Sequence, residues 1–258
     1  MRLIKHLSII SLLALLFGCS AINEDPQADW SAEQLYQEAK EALDSGDYER
    51  AISGYTKLES RYPYGRYAQQ AQLETIYAHY RADQVSSAVA ASDRFIKMHP
   101  RHPSVDYAYY LRGLATYDQT RGFLTGFFDM DPAKRDPAGV RESFNHFKEL
   151  VTRFPNSRYT PDAMKRMTSL RNTLAQHEVH AAEYYLKRGT YLAAANRAKY
   201  VLENYQKAEA IPNALVVMVK AYRKLELNDL AADALRVLQL NHPSHPGLTE
   251  LQQERSAP

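Results

Sequence analysis

The sequence has one cysteine, one tryptophan and only ten glycines in 258 residues. A single cysteine, Cys19, leaves no possibility of an internal disulfide framework. Few glycines among many Ala, Leu, Gln and Glu argue against a turn-rich β architecture and for helices. Excess charge of one sign is also missing, because 32 basic residues face 30 acidic ones. That balance argues against a nucleic-acid binder, which concentrates basic residues on one face. There is no Gly-rich phosphate loop and no nucleophile elbow. What is present is 45% apolar and 24% charged residues, with 19 tyrosines, the composition of a folded body with aromatic surface to spare.

The first eighteen residues read as an address rather than as structure. Arg2 and Lys5 precede the apolar stretch Leu7–Phe17, which is too short to span a bilayer. It ends in Leu16-Phe17-Gly18-Cys19, a pattern that resembles the lipobox of bacterial lipoproteins. The resemblance implies cleavage before Cys19 and covalent diacylglycerol and N-acyl lipid on that residue. Ser20 and Ala21 follow in place of an aspartate, which implies the outer membrane, facing the periplasm. Removing the leader leaves 30 basic and 30 acidic residues. Residues 19–30 are expected to form the acylated start and a flexible tether, 31–248 the folded domain and 249–258 a polar tail.

From Tyr48 onward one template repeats. Tyr48, Ala51, Ile52, Tyr55, Leu58, Tyr62 and Pro63 put five apolar side chains on one helical face and then stop the helix. The same positions recur as Val85, Ala88, Val89, Ser92, Phe95, His99 and Pro100. They recur as Val140, Ser143, Phe144, Phe147, Leu150, Phe154 and Pro155, and as Tyr191, Ala194, Ala195, Ala198, Val201, Tyr205 and Gln206. The last copy is Asn228, Ala231, Ala232, Leu235, Leu238, His242 and Pro243. Small residues early in each second helix permit close approach to a first helix, and a large one further along fills the gap. This is the physical content of a tetratricopeptide repeat. One repeat cannot bury its apolar face alone, so the expected fold is all-α, a right-handed α-solenoid of about five helix pairs. The closing positions are 37, 55, 51 and 37 residues apart, against about 34 for an uninterrupted repeat. Two insertions are therefore expected: Asp118–Asp136, where Gly122, Gly126, Pro132 and Pro137 break the helical pattern, and Pro161–Arg188. The second would be one long helix or two helices meeting near His177.

Motifs suggesting catalysis or metal binding do not hold up. His177-Glu178-Val179-His180 has its second histidine at i+3, where the zinc-peptidase helix needs i+4. The His99–Pro103 and His242–Pro246 segments occupy equivalent repeat ends and read as turns. Asp129-Met130-Asp131 lacks the glycine and glutamate that complete a calcium loop. The expectation is a non-enzymatic scaffold without cofactor or metal.

The residues between the repeat positions resemble a particular family, the outer-membrane β-barrel assembly lipoproteins called BamD. The matching stretches include Arg61-Tyr62-Pro63-Tyr64-Gly65-Arg66-Tyr67, Ile76-Tyr77-Ala78-His79-Tyr80, Phe154-Pro155-Asn156-Ser157-Arg158-Tyr159 and Ala182-Glu183-Tyr184-Tyr185. The resemblance implies a subunit of the β-barrel assembly (BAM) machinery that docks on BamA, meets BamC and other BAM lipoproteins, and helps deliver unfolded outer-membrane proteins. It also implies residues for those tasks: Tyr62, Tyr64, Gly65, Tyr67 and Asp106 for an extended peptide or BamC, and Tyr184, Arg188, Asn196 and Arg197 for BamA. Arg197 is not demanded by the repeat, and its planar guanidinium suits a partner carboxylate. The competing reading is another periplasmic tetratricopeptide lipoprotein coordinating envelope or cell-wall processes.

Overall fold

A computed structural model describes residues 26–121 and 131–256. Eleven α-helices run through the described residues: α1 Ala32–Asp44, α2 Tyr48–Arg61, α3 Arg66–Arg81, α4 Val85–Met98, α5 Val105–Arg121, α6 Ala138–Arg153, α7 Thr160–Lys187, α8 Tyr191–Asn204, α9 Ile211–Lys224, α10 Asn228–Asn241 and α11 Gly247–Ser256. From α1 to α10 each helix packs on the next in sequence. First helices also pack on first helices across repeats, α1 on α3, α3 on α5, α7 on α9 and α9 on α11. This is a tetratricopeptide-type solenoid of five helix pairs closed by α11.

Local chemistry sets the helix ends. α1 starts on a capping box, in which Ser31 Oγ accepts from the Gln34 amide and Gln34 Oε1 accepts from the Ser31 amide. Within repeats one, two, four and five the two helices meet in one kind of tight turn. A residue two places before the second helix has a positive φ: Gly46, Asp83, Gly189 and Glu226. In each turn the amide of the next residue reaches back five positions, Asp47 to Ala42, Gln84 to His79, Thr190 to Tyr185 and Leu227 to Tyr222. Glycine takes that conformation freely; Asp83 and Glu226 hold it against a steric cost.

Four of the five turns that follow the second helices share a second pattern. The amides of His102, Ser157, Ala208 and His245 donate to the carbonyls of His99, Phe154, Tyr205 and His242. The turn with Gln206 in place of proline closes with the same bond, with Lys207 in the left-handed region.

The template positions are where the core lies. Ala51, Ala88, Ser143, Ala194 and Ala231 are buried, and so are Leu58, Phe95, Leu150, Val201 and Leu238. Phe147 is sealed against Gly113 of α5, where any β-carbon would collide with the ring. Arg112 beside it bridges Asp93 of α4 and Glu149 of α6 at 2.5 and 2.6 Å. The first repeat has a core of its own around Leu35, Tyr55 and Leu58, while the remaining repeats share another around Phe95, Phe147 and Val219.

The two insertions are one structural unit. α5 continues through Arg121, so Asp118–Arg121 is helical rather than loop, and residues 122–130 lie outside the described residues. Pro161–Arg188 resolves as a single 28-residue helix, α7. Its extra turns carry a 3-10 turn at Pro132–Lys134. His177 Nδ1 lies 2.8 Å from the Ala133 carbonyl, and His180 Nε2 lies 2.7 Å from Asp131 Oδ2. The histidines that imitate a zinc motif therefore seat an insertion.

Two expected boundaries need correction. Residues 26–30, assigned to a flexible tether, fold as a turn against α1 and α2, because Trp30 has apolar surface to bury there. The polar tail at 249–258 is helical through Ser256, since Leu251 buries on α9 and Lys220 pairs with Glu250 and Glu254. No helix among the described residues is long and apolar enough to cross a membrane.

Candidate protein-binding surfaces

The residues expected to form one peptide pocket are separated by the structure. Tyr67 of α3 lies 5.5 Å from the Tyr36 ring of α1, and Arg66 sits over Tyr67 and donates to its hydroxyl. Tyr62 turns the other way, and its hydroxyl donates to the Trp30 carbonyl at 2.9 Å. Tyr64, at the tip of the α2–α3 turn, is 90% exposed. Gly65 has φ +98 and starts α3. Asp106 is not part of this group. Its Oδ2 accepts from Ser157 Oγ at 2.6 Å and its Oδ1 from the Tyr107 amide, tying the start of α5 to the α6–α7 turn.

A larger aromatic feature lies further along the first helices. Tyr77 and Tyr80 of α3 are one ring pair, and Tyr107 and Tyr110 of α5 with Tyr159 at the head of α7 are a stacked group near it. Tyr159 stacks on both Tyr107 and Tyr110, with centroids 5.3 and 4.7 Å apart. Charged groups fix the hydroxyls. Tyr80 donates to Asp118 at 2.6 Å and Tyr110 to Asp162 at 2.7 Å, and Arg166 holds Asp162 at 2.5 Å. Burial and the Asp162 bond push the Tyr110 phenol up to about 12. Asp162 itself is partly desolvated, which opposes its charge, but bonds from Arg166 and Tyr110 win and its carboxyl is lowered. Half-buried rings with satisfied hydroxyls present rigid apolar faces at little entropic cost. Sequence reasoning missed Tyr36 and Tyr110. The signal was there, an excess of tyrosine on first helices, but the repeat template was read on the second helices.

The other expected surface is at α7 and α8. Tyr184 is exposed, with Arg188 6.0 Å over its ring, and Asn196 and Arg197 are exposed on α8. Arg197 differs from expectation because it has an internal partner. Its Nη1 donates at 2.8 Å to Glu178 of α7, whose side chain is 5% exposed against 49% for Arg197. The carboxylate holds one edge of the guanidinium and keeps its pKa above the ordinary value. No cluster able to hold a metal occurs among the described residues.

The family model described as YfiO, outer membrane lipoprotein, matches residues 28–238. The outer membrane protein assembly factor BamD of Neisseria gonorrhoeae is 44% identical over 98% of this chain and 97% of its own length. This chain belongs to the BamD family. BamD of Vibrio cholerae is 40% identical over 92% of this chain and 98% of its own, and that of Xylella fastidiosa 36% over 93% and 82%. The matched span takes in both surfaces and all five helix pairs but for the last three residues of α10. α11 lies beyond the family model.

Proposed function

We propose that this BamD-family protein works as a lipid-anchored, non-catalytic scaffold on the periplasmic face of the outer membrane. Cys19, outside the described residues, carries diacylglycerol and an N-acyl chain and is the only lipid attachment. The protein docks on BamA through Tyr184, Arg188, Asn196 and Arg197, and passes unfolded outer-membrane proteins along the first-helix face. BamC or a client segment enters beside Tyr67 and Gly65 at the start of that face, with Tyr62 and Tyr64 on the turn that flanks it. Asp106 contributes by holding the wall that carries Tyr107 and Tyr159.

The line of half-buried tyrosines across α1, α3, α5 and α7 carries this reading. Extended clients offer alternating apolar side chains, and rigid aromatic faces provide contact area without demanding one sequence. Arg197 suits the docking role because Glu178 orients its guanidinium while about half of the side chain stays exposed to meet a partner carboxylate.

A photo-cross-linking residue placed at Tyr67 in living cells is expected to capture unfolded β-barrel precursors, and one at Arg197 to capture BamA. Capture of BamA at both positions, or of neither class, would sink the division of labour. Arg197→Glu is expected to weaken BamA co-purification without loss of helicity by circular dichroism.

A further inference from the structure

Resting on the reading of Cys19 as the lipid attachment, we propose that the α2–α3 turn is a membrane contact, with Tyr64 meeting the lipid headgroups. The reason is where the ordered chain begins. Residues 26–30 are fastened to the carboxy-terminal end of α2 by three separate bonds. Arg61 donates to the Gln27 carbonyl, Lys57 to the Gln27 side chain at 2.5 Å, and Tyr62 to the Trp30 carbonyl at 2.9 Å. Only six residues, seven steps of chain, then separate Pro26 from Cys19. Fully extended they reach about 25 Å, so the attachment point cannot lie far from this end of the first repeat.

The turn itself has the chemistry of an interfacial contact. Tyr64 is 90% exposed and its ring packs on no aromatic among the described residues, whereas Tyr62 and Tyr67 on either side are both engaged. Tyrosine favours the headgroup layer, where its ring meets apolar carbon and its hydroxyl meets water. No carboxylate lies between Arg61 and Arg66. Arg66 rests on the Tyr67 ring with no acidic partner among the described residues, so its charge can answer an anionic headgroup. Contact here would set the start of the tyrosine line beside the bilayer and direct the rest of the solenoid away from it.

Acylated full-length protein in phosphatidylethanolamine–phosphatidylglycerol vesicles provides the test. Tyr64→Cys and, at the far end, Leu240→Cys each carry a fluorophore, since acylation consumes the Cys19 thiol. Headgroup-nitroxide lipids are expected to quench the label at 64 and leave the label at 240 bright. Equal emission at the two sites overturns the contact, and so does quenching at 64 by an added unfolded β-barrel precursor but not by lipid. Protein that fails to float with vesicles, and whose Cys19 takes the label, overturns the anchor and the contact together. Co-flotation with a bright label at 64 overturns the contact alone. Both positions are exposed, and unchanged circular dichroism is expected for each variant.

Discussion

The two ends of the solenoid use the same helix-pair plan with different side chains. Seven residues after the first template residue the first and third repeats hold Tyr55 and Phe147 and the second Ser92, whereas the fourth holds Ala198 and the fifth Leu235. The first helices α1, α3 and α5 carry Tyr36, Tyr67, Tyr77, Tyr80, Tyr107, Tyr110 and Tyr117, while α9 is buried through Ala214, Leu215, Val216, Val217, Met218 and Val219. Large rings hold helices apart and leave their edges at the surface; alanines let helices close and leave nothing to display. The amino-terminal half therefore presents aromatic area along its first helices. The carboxy-terminal half presents scattered aliphatics, Leu230, Val237 and Leu240 among them, and the Arg197–Glu178 pair.

The strongest way to break that comparison is at the rings. Phe147→Ala is expected to cost about 3–5 kcal/mol in denaturant unfolding, because Gly113 cannot move in to fill the space. If the first-repeat core is independent, amides in α1 and α2 keep their hydrogen-exchange protection in that variant; simultaneous loss would show one core rather than two. In the alanine-packed half, Arg197→Ala strips a buried carboxylate of its partner and is expected to cost about 1–3 kcal/mol. Adding Glu178→Gln should recover part of that loss, and no recovery would show the pair to be unimportant for folding.

Acid should weaken the tyrosine line. The Asp162 carboxyl is lowered in the folded protein, so the unfolded chain binds its proton more readily. Its stabilising contribution is present above the ordinary carboxylate range and is lost as pH falls through the lowered value. Asp162→Asn should flatten the acid limb of the thermal-melting profile, and an unchanged limb would count against this bond.

Two smaller substitutions sharpen the contrast. The Tyr55 hydroxyl is buried with no hydrogen-bond partner, so Tyr55→Phe should be neutral or raise stability by about 1 kcal/mol. Glu226→Gly at φ +61 should add about 0.5–1 kcal/mol by relieving the backbone, visible as a slightly higher Tm.

Much of this architecture could be read from residue spacing. The recurrence of Ala51, Ala88, Ser143, Ala194 and Ala231 with large residues seven places on is a packing requirement repeated every helix pair, and all five are buried. Gln206 stands in a proline slot, yet the backbone bond there matches that of three other turns, because proline stops a helix without being the only residue that allows the stop. The expected site was less legible. Tyr62, Tyr64 and Tyr67 are adjacent in sequence but point to three different surroundings, because a turn rotates successive side chains away from one another. Asp106 and Arg197 looked available to partners, and each instead has an internal one.

The sequence by itself determined the helix pairs, their number and the interrupted period, since those follow from apolar periodicity and helix-stopping residues within a few turns of chain. Only the tertiary structure decided that the two insertions make one unit through His177 and His180, across 44 and 49 residues of chain, and that Glu178 holds Arg197. Such pairings join positions far apart in the chain. Stacking brings them together, and no local pattern records which groups will meet.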